Sequence, residues 1–248
     1  MELLLIIFIA FFIAILFSLL GLGGAIIYTP LFYWSGLDLL TAIPMALFLN
    51  MITTASASTT YLKQRLVDTR IAIPIILASL PGAYAGSKLA RIIDMDLLVF
   101  LLSISILLAA IRILFFEIKG TSVINANKSV IVGAFSGFVI SAVSSLVGIG
   151  GGTFIMPLLL FFGLDTKKAV GTSALIVTFI SLFGFLSHMS HGEHHIDMSI
   201  MIFAGIAAFA GAQAGSRLIF RKTSPRTIER IFALVLLLVG GKLLYGIL

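Results

Sequence analysis

The chain has 248 residues, 60% of them hydrophobic and 10% charged, with a mean hydropathy of +1.21. Soluble domains carry about 25% charged residues, so this chain has too little polar surface to face water, and lipid is its main solvent. That excludes a soluble enzyme, a nucleic-acid reader and a disordered chain, and the formal net charge of +6 becomes a statement about membrane orientation.

The apolar runs are continuous rather than alternating, which predicts helices and not a closed barrel. The first helix covers 3–20 and has no basic stretch ahead of it, so it reads as part of the fold and not as a cleaved signal. Gly21-Leu22-Gly23-Gly24 breaks the run, and a short apolar piece follows at 25–36. Full-length helices are then expected at 39–61, 71–91 and 96–116, with Asn125-Ala126-Asn127-Lys128 as a joint. The order then recurs: a helix at 130–147, a break at Gly148-Ile149-Gly150-Gly151-Gly152, and a short piece at 152–163. Long helices follow at 166–188, 198–219 and 227–247. The expected architecture is an all-α polytopic membrane protein, one transmembrane domain over 1–248, with about eight full spans and two short helices. No cysteine is present, which excludes disulfides and thiol chemistry.

The recurrence is a sequence repeat. Ser18–Asp38 and Ser145–Asp165 share ten of twenty-one residues, among them Gly21/Gly148, Gly23/Gly150, Gly24/Gly151, Pro30/Pro157, Gly36/Gly163 and Asp38/Asp165. Further on, Gly82–Leu89 mirrors Gly211–Leu218 as GAxAGS[K/R]L. Repeat one is assigned to 1–122 and repeat two to 128–248. The glycines of GAxAGS lie one helical turn apart and read as packing faces.

Charge distinguishes two topologies. If each half crosses four times, the halves are parallel and the sixteen Lys and Arg divide seven to nine between the faces. If the glycine-broken unit makes two passes, the halves are inverted. Only Lys88, Arg91 and Lys242 then lie outside, with the other thirteen inside. The positive-inside rule selects inverted-topology repeats with both termini outside. A short helix of about 12 residues is only about 18 Å long, so it must be buried in protein or line a cavity.

Broken helices at equivalent places in two inverted halves point to a transporter site. The candidate residues are Gly21, Gly23 and Gly24 in the first turn and Gly148, Gly150, Gly151 and Gly152 in the second. The short helix after each turn would aim free N–H groups and a positive dipole end inward and hold an anion without a charged side chain. Asn50 and Thr53 share a face of the next helix, and Thr172 and Ser173 open its mate; these hydroxyls and the amide complete the candidate shell. A nucleotide loop does not fit, because GxGxxG would need glycine where Ile26 and Thr153 stand.

No Asp, Glu, Lys or Arg falls mid-span, so no carboxylate proton pathway is indicated. His188, His191, His194 and His195 are expected in one solvated outer loop; HMSHGEHH is not HExxH, and no metal or cofactor is assigned. The expected partners are a small anion and the lipid bilayer, with homo-oligomerisation left open. The rivals are a non-transporting assembly or receptor protein and an intramembrane enzyme, for which no catalytic residues at depth are found.

Together the GxGG[A/G] turns, the Gly-Leu-Asp after each, Gly171-Thr172-Ser173-Ala174 and the GAxAGS[K/R]L segments resemble the TauE/SafE family of sulfite exporter-like membrane proteins. The resemblance covers almost all the chain. It implies a transporter, not an enzyme, moving sulfite, sulfonates or related organic anions across a bacterial inner membrane, usually outward. It implicates the two glycine turns with Thr172 and Ser173. In the first half, Pro44-Met45-Ala46-Leu47 stands where GTSA stands in the second, so the resemblance does not extend to a fully symmetric site.

Overall fold

A computed structural model describes residues 3–115, 126–190, 198–218 and 225–246. These form ten helices and, among the described residues, no strand: α1 (Leu3–Leu20), α2 (Ala25–Trp34), α3 (Leu39–Lys63), α4 (Thr69–Ala90), α5 (Met95–Phe115), α6 (Ala126–Val147), α7 (Gly152–Phe161), α8 (Thr166–Ser190), α9 (Met198–Leu218) and α10 (Pro225–Tyr245). Five of them, α3, α4, α5, α8 and α9, are long and apolar enough to cross a membrane by length and composition. Over the described residues α1, α6 and α10 contribute shorter apolar stretches.

Local chemistry sets the helix boundaries. Each Gly-Leu-Asp closes one helix and opens the next. Gly36 (φ 96°) and Gly163 (φ 87°) take the left-handed conformation that ends α2 and α7. Two residues later Asp38 and Asp165 cap the following helix, accepting from Thr41 N at 2.9 Å and Lys168 N at 3.1 Å. Pro30 and Pro157, whose place in the short helices the sequence leaves open, lie inside α2 and α7.

α3 and α8 form the inner pair. Of their apolar windows 72% and 61% are buried, against 39–44% for α4, α5 and α9. They run antiparallel: Leu47 meets Gly184, Asn50 meets Ser181, and the Leu66 backbone beyond the end of α3 meets Gly171. Around them α4 packs on α6 and α8, α9 on α1 and α3, and α5 on α10. The outer faces carry exposed apolar side chains such as Phe8, Leu77, Phe135 and Leu238, as a lipid-facing surface should.

The GAxAGS segments are packing faces, as their spacing predicts. A Cβ at Gly82 or Gly86 would strike the backbone of Phe138 or Ala142 on α6, and one at Gly211 or Gly215 that of Phe11 or Ile15 on α1. Bare glycine lets these helix pairs, which run parallel, come close enough to replace lipid contact with dense packing.

α1 runs past the middle of the inner pair and sets Gly21 beside Val170, near the start of α8. The chain then doubles back over Leu22 and Gly23 to Asn50, and α2 leaves from there. α6 does the same from the other end: Gly148 lies beside Ile43, near the start of α3, and Gly150 returns to Asn50.

Candidate functional site

The two glycine turns meet at one side chain. A Cβ added at Gly23 would come within 2.7 Å of the Asn50 carboxamide carbon, and one at Gly150 within 2.9 Å of the same atom. Asn50 is fully buried in the middle of α3. Its Oδ1 accepts from the Ala25 N–H at 2.9 Å, and its Nδ2 donates to Ser181 Oγ on α8 at 2.6 Å. One amide therefore links the first turn of α2, the edge of the second glycine turn and both inner helices. The burial of a carboxamide at this depth is tolerable because both its ends are bonded.

Positive φ at Gly21, Gly23, Gly148, Gly150 and Gly151 makes this path available to glycine and strained for any other residue. Two of the carbonyls released by the broken helices are satisfied across the halves. Thr29 Oγ1 on α2 donates to Gly148 O at 2.6 Å, and Ser173 Oγ on α8 donates to Gly21 O at 2.9 Å. A second pair acts one turn earlier: Tyr61 Oη donates to Ser18 O at 2.6 Å, and His188 Nε2 pairs with Ser145 O at 2.7 Å.

The expected candidate residues thus divide. Gly23, Gly150 and Asn50 come together at the centre, and Gly152 packs against the Leu22 backbone beside them. Gly24 lies against Tyr28 and Ile13, and Gly151 beside Ser144. Gly21, Gly148 and Ser173 anchor the turns from either side. Thr53 donates to Leu49 O in its own helix. Thr172 sits further out and accepts from the Asp68 N–H, pinning the link between α3 and α4.

His188 corrects an expectation. It is not in a solvated loop but in α8, fully buried, at the position equivalent to Tyr61 in the other half. It serves a carbonyl at the C-terminal end of α6, a helix end that would otherwise be left unsatisfied. The offset between Tyr61 and His188 matches that of the glycine turns and was the available signal. His191, His194 and His195 lie outside the described residues. Among the described residues no Asp, Glu, Lys or Arg is buried, and no cluster of potential metal ligands occurs.

Residues 6–243 match the profile of the family described as sulfite exporter TauE/SafE. The chain belongs to that family. Its TauE/SafE relatives include the probable membrane transporter proteins YunE and YdhB of Bacillus subtilis. YunE is 28% identical, covering 92% of this chain and 92% of its own; YdhB is 24% identical, covering 97% and 99%. A probable membrane transporter protein of Xylella fastidiosa is 26% identical over 90% of this chain and 87% of its own. No solved structure matches the chain. As a TauE/SafE protein with several apolar spanning helices, the chain is a multi-pass membrane transporter.

Three buried hydroxyls near the second turn escaped the sequence reading: Ser144 and Ser145 at the end of α6 and Thr153 at the start of α7. Each is nearly fully buried, and its oxygen has no hydrogen-bond partner. Serine and threonine are common in apolar helices, where they bond to their own backbone; the sequence gives no sign that these three do not.

Proposed function

We propose that this TauE/SafE protein moves a small sulfur-containing or organic anion, such as sulfite or a sulfonate, outward across a bacterial inner membrane by alternating access. The observation that carries this reading is the meeting of two glycine-broken helices at Asn50, in a buried centre without an ionised side chain. Backbone N–H groups at helix starts favour an anion over a cation. An anion leaving an inside-negative cell gains about 2.3 kcal/mol per charge per 100 mV, so export needs no further coupling.

The two repeats are read as inverted. Equivalent helices of two parallel halves would run side by side in the same direction, whereas α3 and α8 run antiparallel. Charge supports the same reading. Arg91 reaches His188 O at 3.4 Å, and Lys242 lies 4.4 Å over the Trp34 ring. Both cations therefore sit at the end where α3 begins, and Lys63, Arg65, Lys167 and Lys168 fall at the other. α2 is short for a crossing, its ten residues spanning about 15 Å of a core of about 30 Å, so the return relies on the glycine turn lodged in the protein interior at Asn50. On this reading the chain makes about eight full spans with two glycine-broken returns.

Reconstitution tests the function. Proteoliposomes holding the purified protein should release labelled sulfite or methanesulfonate when a membrane potential is imposed, faster than empty vesicles and in proportion to the potential. Absence of flux for every sulfur oxyanion tested would refute the transport reading and favour a non-transporting assembly protein.

A further inference from the structure

The two halves share a fold but not a chemistry at the centre. At the start of α2 the Ala25 N–H is already bonded to Asn50. The position equivalent to Asn50 in the second half is Val177, which cannot cap α7. Gly151, the N-cap of α7, offers no side chain, and its carbonyl serves only Phe154 and Ile155. The N–H groups of Gly150, Gly151, Gly152 and Thr153 make no hydrogen bond among the described residues.

Hydroxyls are distributed in the same unequal way. Ser144 and Thr153 are 1% and 2% exposed, and neither oxygen has a partner. Ser144 Oγ faces the α7 start directly, lying 3.1 Å from where a Cβ on Gly151 would stand. Their equivalents in the first half are Phe17 and Ile26, both buried and unable to donate. Leaving a polar group buried and unbonded costs stability. The second turn holds the Ser144 and Thr153 hydroxyls and four unbonded amides; the first turn has three, at Gly23, Gly24 and Ile26, with the fourth taken by Asn50 and apolar side chains in place of both hydroxyls.

Building on the anion-transporter reading, we propose that the anion is seated on the second turn alone. The amides of Gly150–Thr153 and the hydroxyls of Ser144 and Thr153 grip a compact oxyanion head, a sulfite, sulfonate or carboxylate group. The start of α2, where Asn50 takes the Ala25 N–H and Phe17 and Ile26 stand in place of the hydroxyls, is a structural counterpart that binds nothing. The four amides can only donate, which favours an anion over a cation, and a neutral solute would leave most of them unused.

The test uses the full-length protein in detergent, with sulfite (kept anaerobic), methanesulfonate and acetate as probes. Ser144→Ala and Thr153→Val should each weaken binding of the preferred probe about tenfold, since a hydrogen bond to a charged group is lost. The pair should weaken it further. Ser79→Ala, whose hydroxyl serves only the Ile76 carbonyl of its own helix, should leave affinity unchanged. The ligand-free variants should melt at or above the wild-type temperature, because the hydroxyls removed have no partner to lose. Unchanged affinity in the double variant, with wild type still binding, would overturn the one-sided seat and leave the anion reading standing. Reduced ligand-free stability would also overturn it, by showing that the hydroxyls serve the fold. If wild type bound none of the three probes, both readings would fall together.

Discussion

Asn50 shows how much one polar residue can organise in an apolar interior. Its carboxamide joins Ala25 of α2 to Ser181 of α8, and both glycine turns rest against it. Replacing it with leucine strands a buried N–H and a buried hydroxyl, at about 1–3 kcal/mol for each group. Asn50→Leu should therefore lower unfolding stability in mixed micelles by roughly 2 kcal/mol or more. Thr54→Val removes a hydroxyl that bonds within its own helix, to Asn50 O at 2.8 Å, and should cost less than about 1 kcal/mol. Equal losses in the two variants would remove Asn50 from its linking role. The sequence marked this residue because an amide at membrane depth needs partners. It could not name them, because Ser181 lies 131 residues away.

Helix pairs depend on what glycine leaves out. On α4 and α9 the GAxAGS faces bring backbone against backbone, so a side chain there has nowhere to go. Gly86→Val would push a side chain into the Ala142 carbonyl region of α6 and force α4 and α6 apart. Overpacking of this kind costs about 1–3 kcal/mol and should appear as a lower melting temperature with the protein still inserted. Gly241→Ala in α10, where nothing lies within 4 Å, should be neutral or stabilise by up to about 1 kcal/mol. These faces were legible because small residues at i and i+4, twice over, have few uses other than close packing. The split of Thr172 from the centre was not legible. A hydroxyl near a helix start suits a ligand and a neighbouring backbone N–H equally well, and here it takes Asp68.

At the scale of the whole molecule, orientation is the claim most open to a direct check. The chain has no cysteine, so single cysteines can be introduced against a clean background. Under inverted repeats Gln64→Cys and Asp165→Cys should react with an impermeant thiol reagent from the same side of intact cells, and Asp94→Cys from the other. Parallel halves would put the first two on opposite sides. The hydrogen bond from Asp68 N to Thr172, which ties the α3–α4 link to the start of α8, agrees with the first outcome.

Much of this was settled by composition and periodicity. Too few charges to face water, ten apolar segments in two matching sets and paired glycine breaks follow from residue identity and spacing, which act along the chain. Which donors remain free is a different matter. Asn50 takes the Ala25 N–H at the start of α2, while Val177 can take none at the start of α7; Ser144 faces Gly151 while Phe17 stands in its place in the other half. Such facts depend on which groups from distant segments arrive within about 3 Å of each other. Two halves similar enough to share a fold can still differ in that respect, because helix packing tolerates side-chain exchange and hydrogen bonding does not.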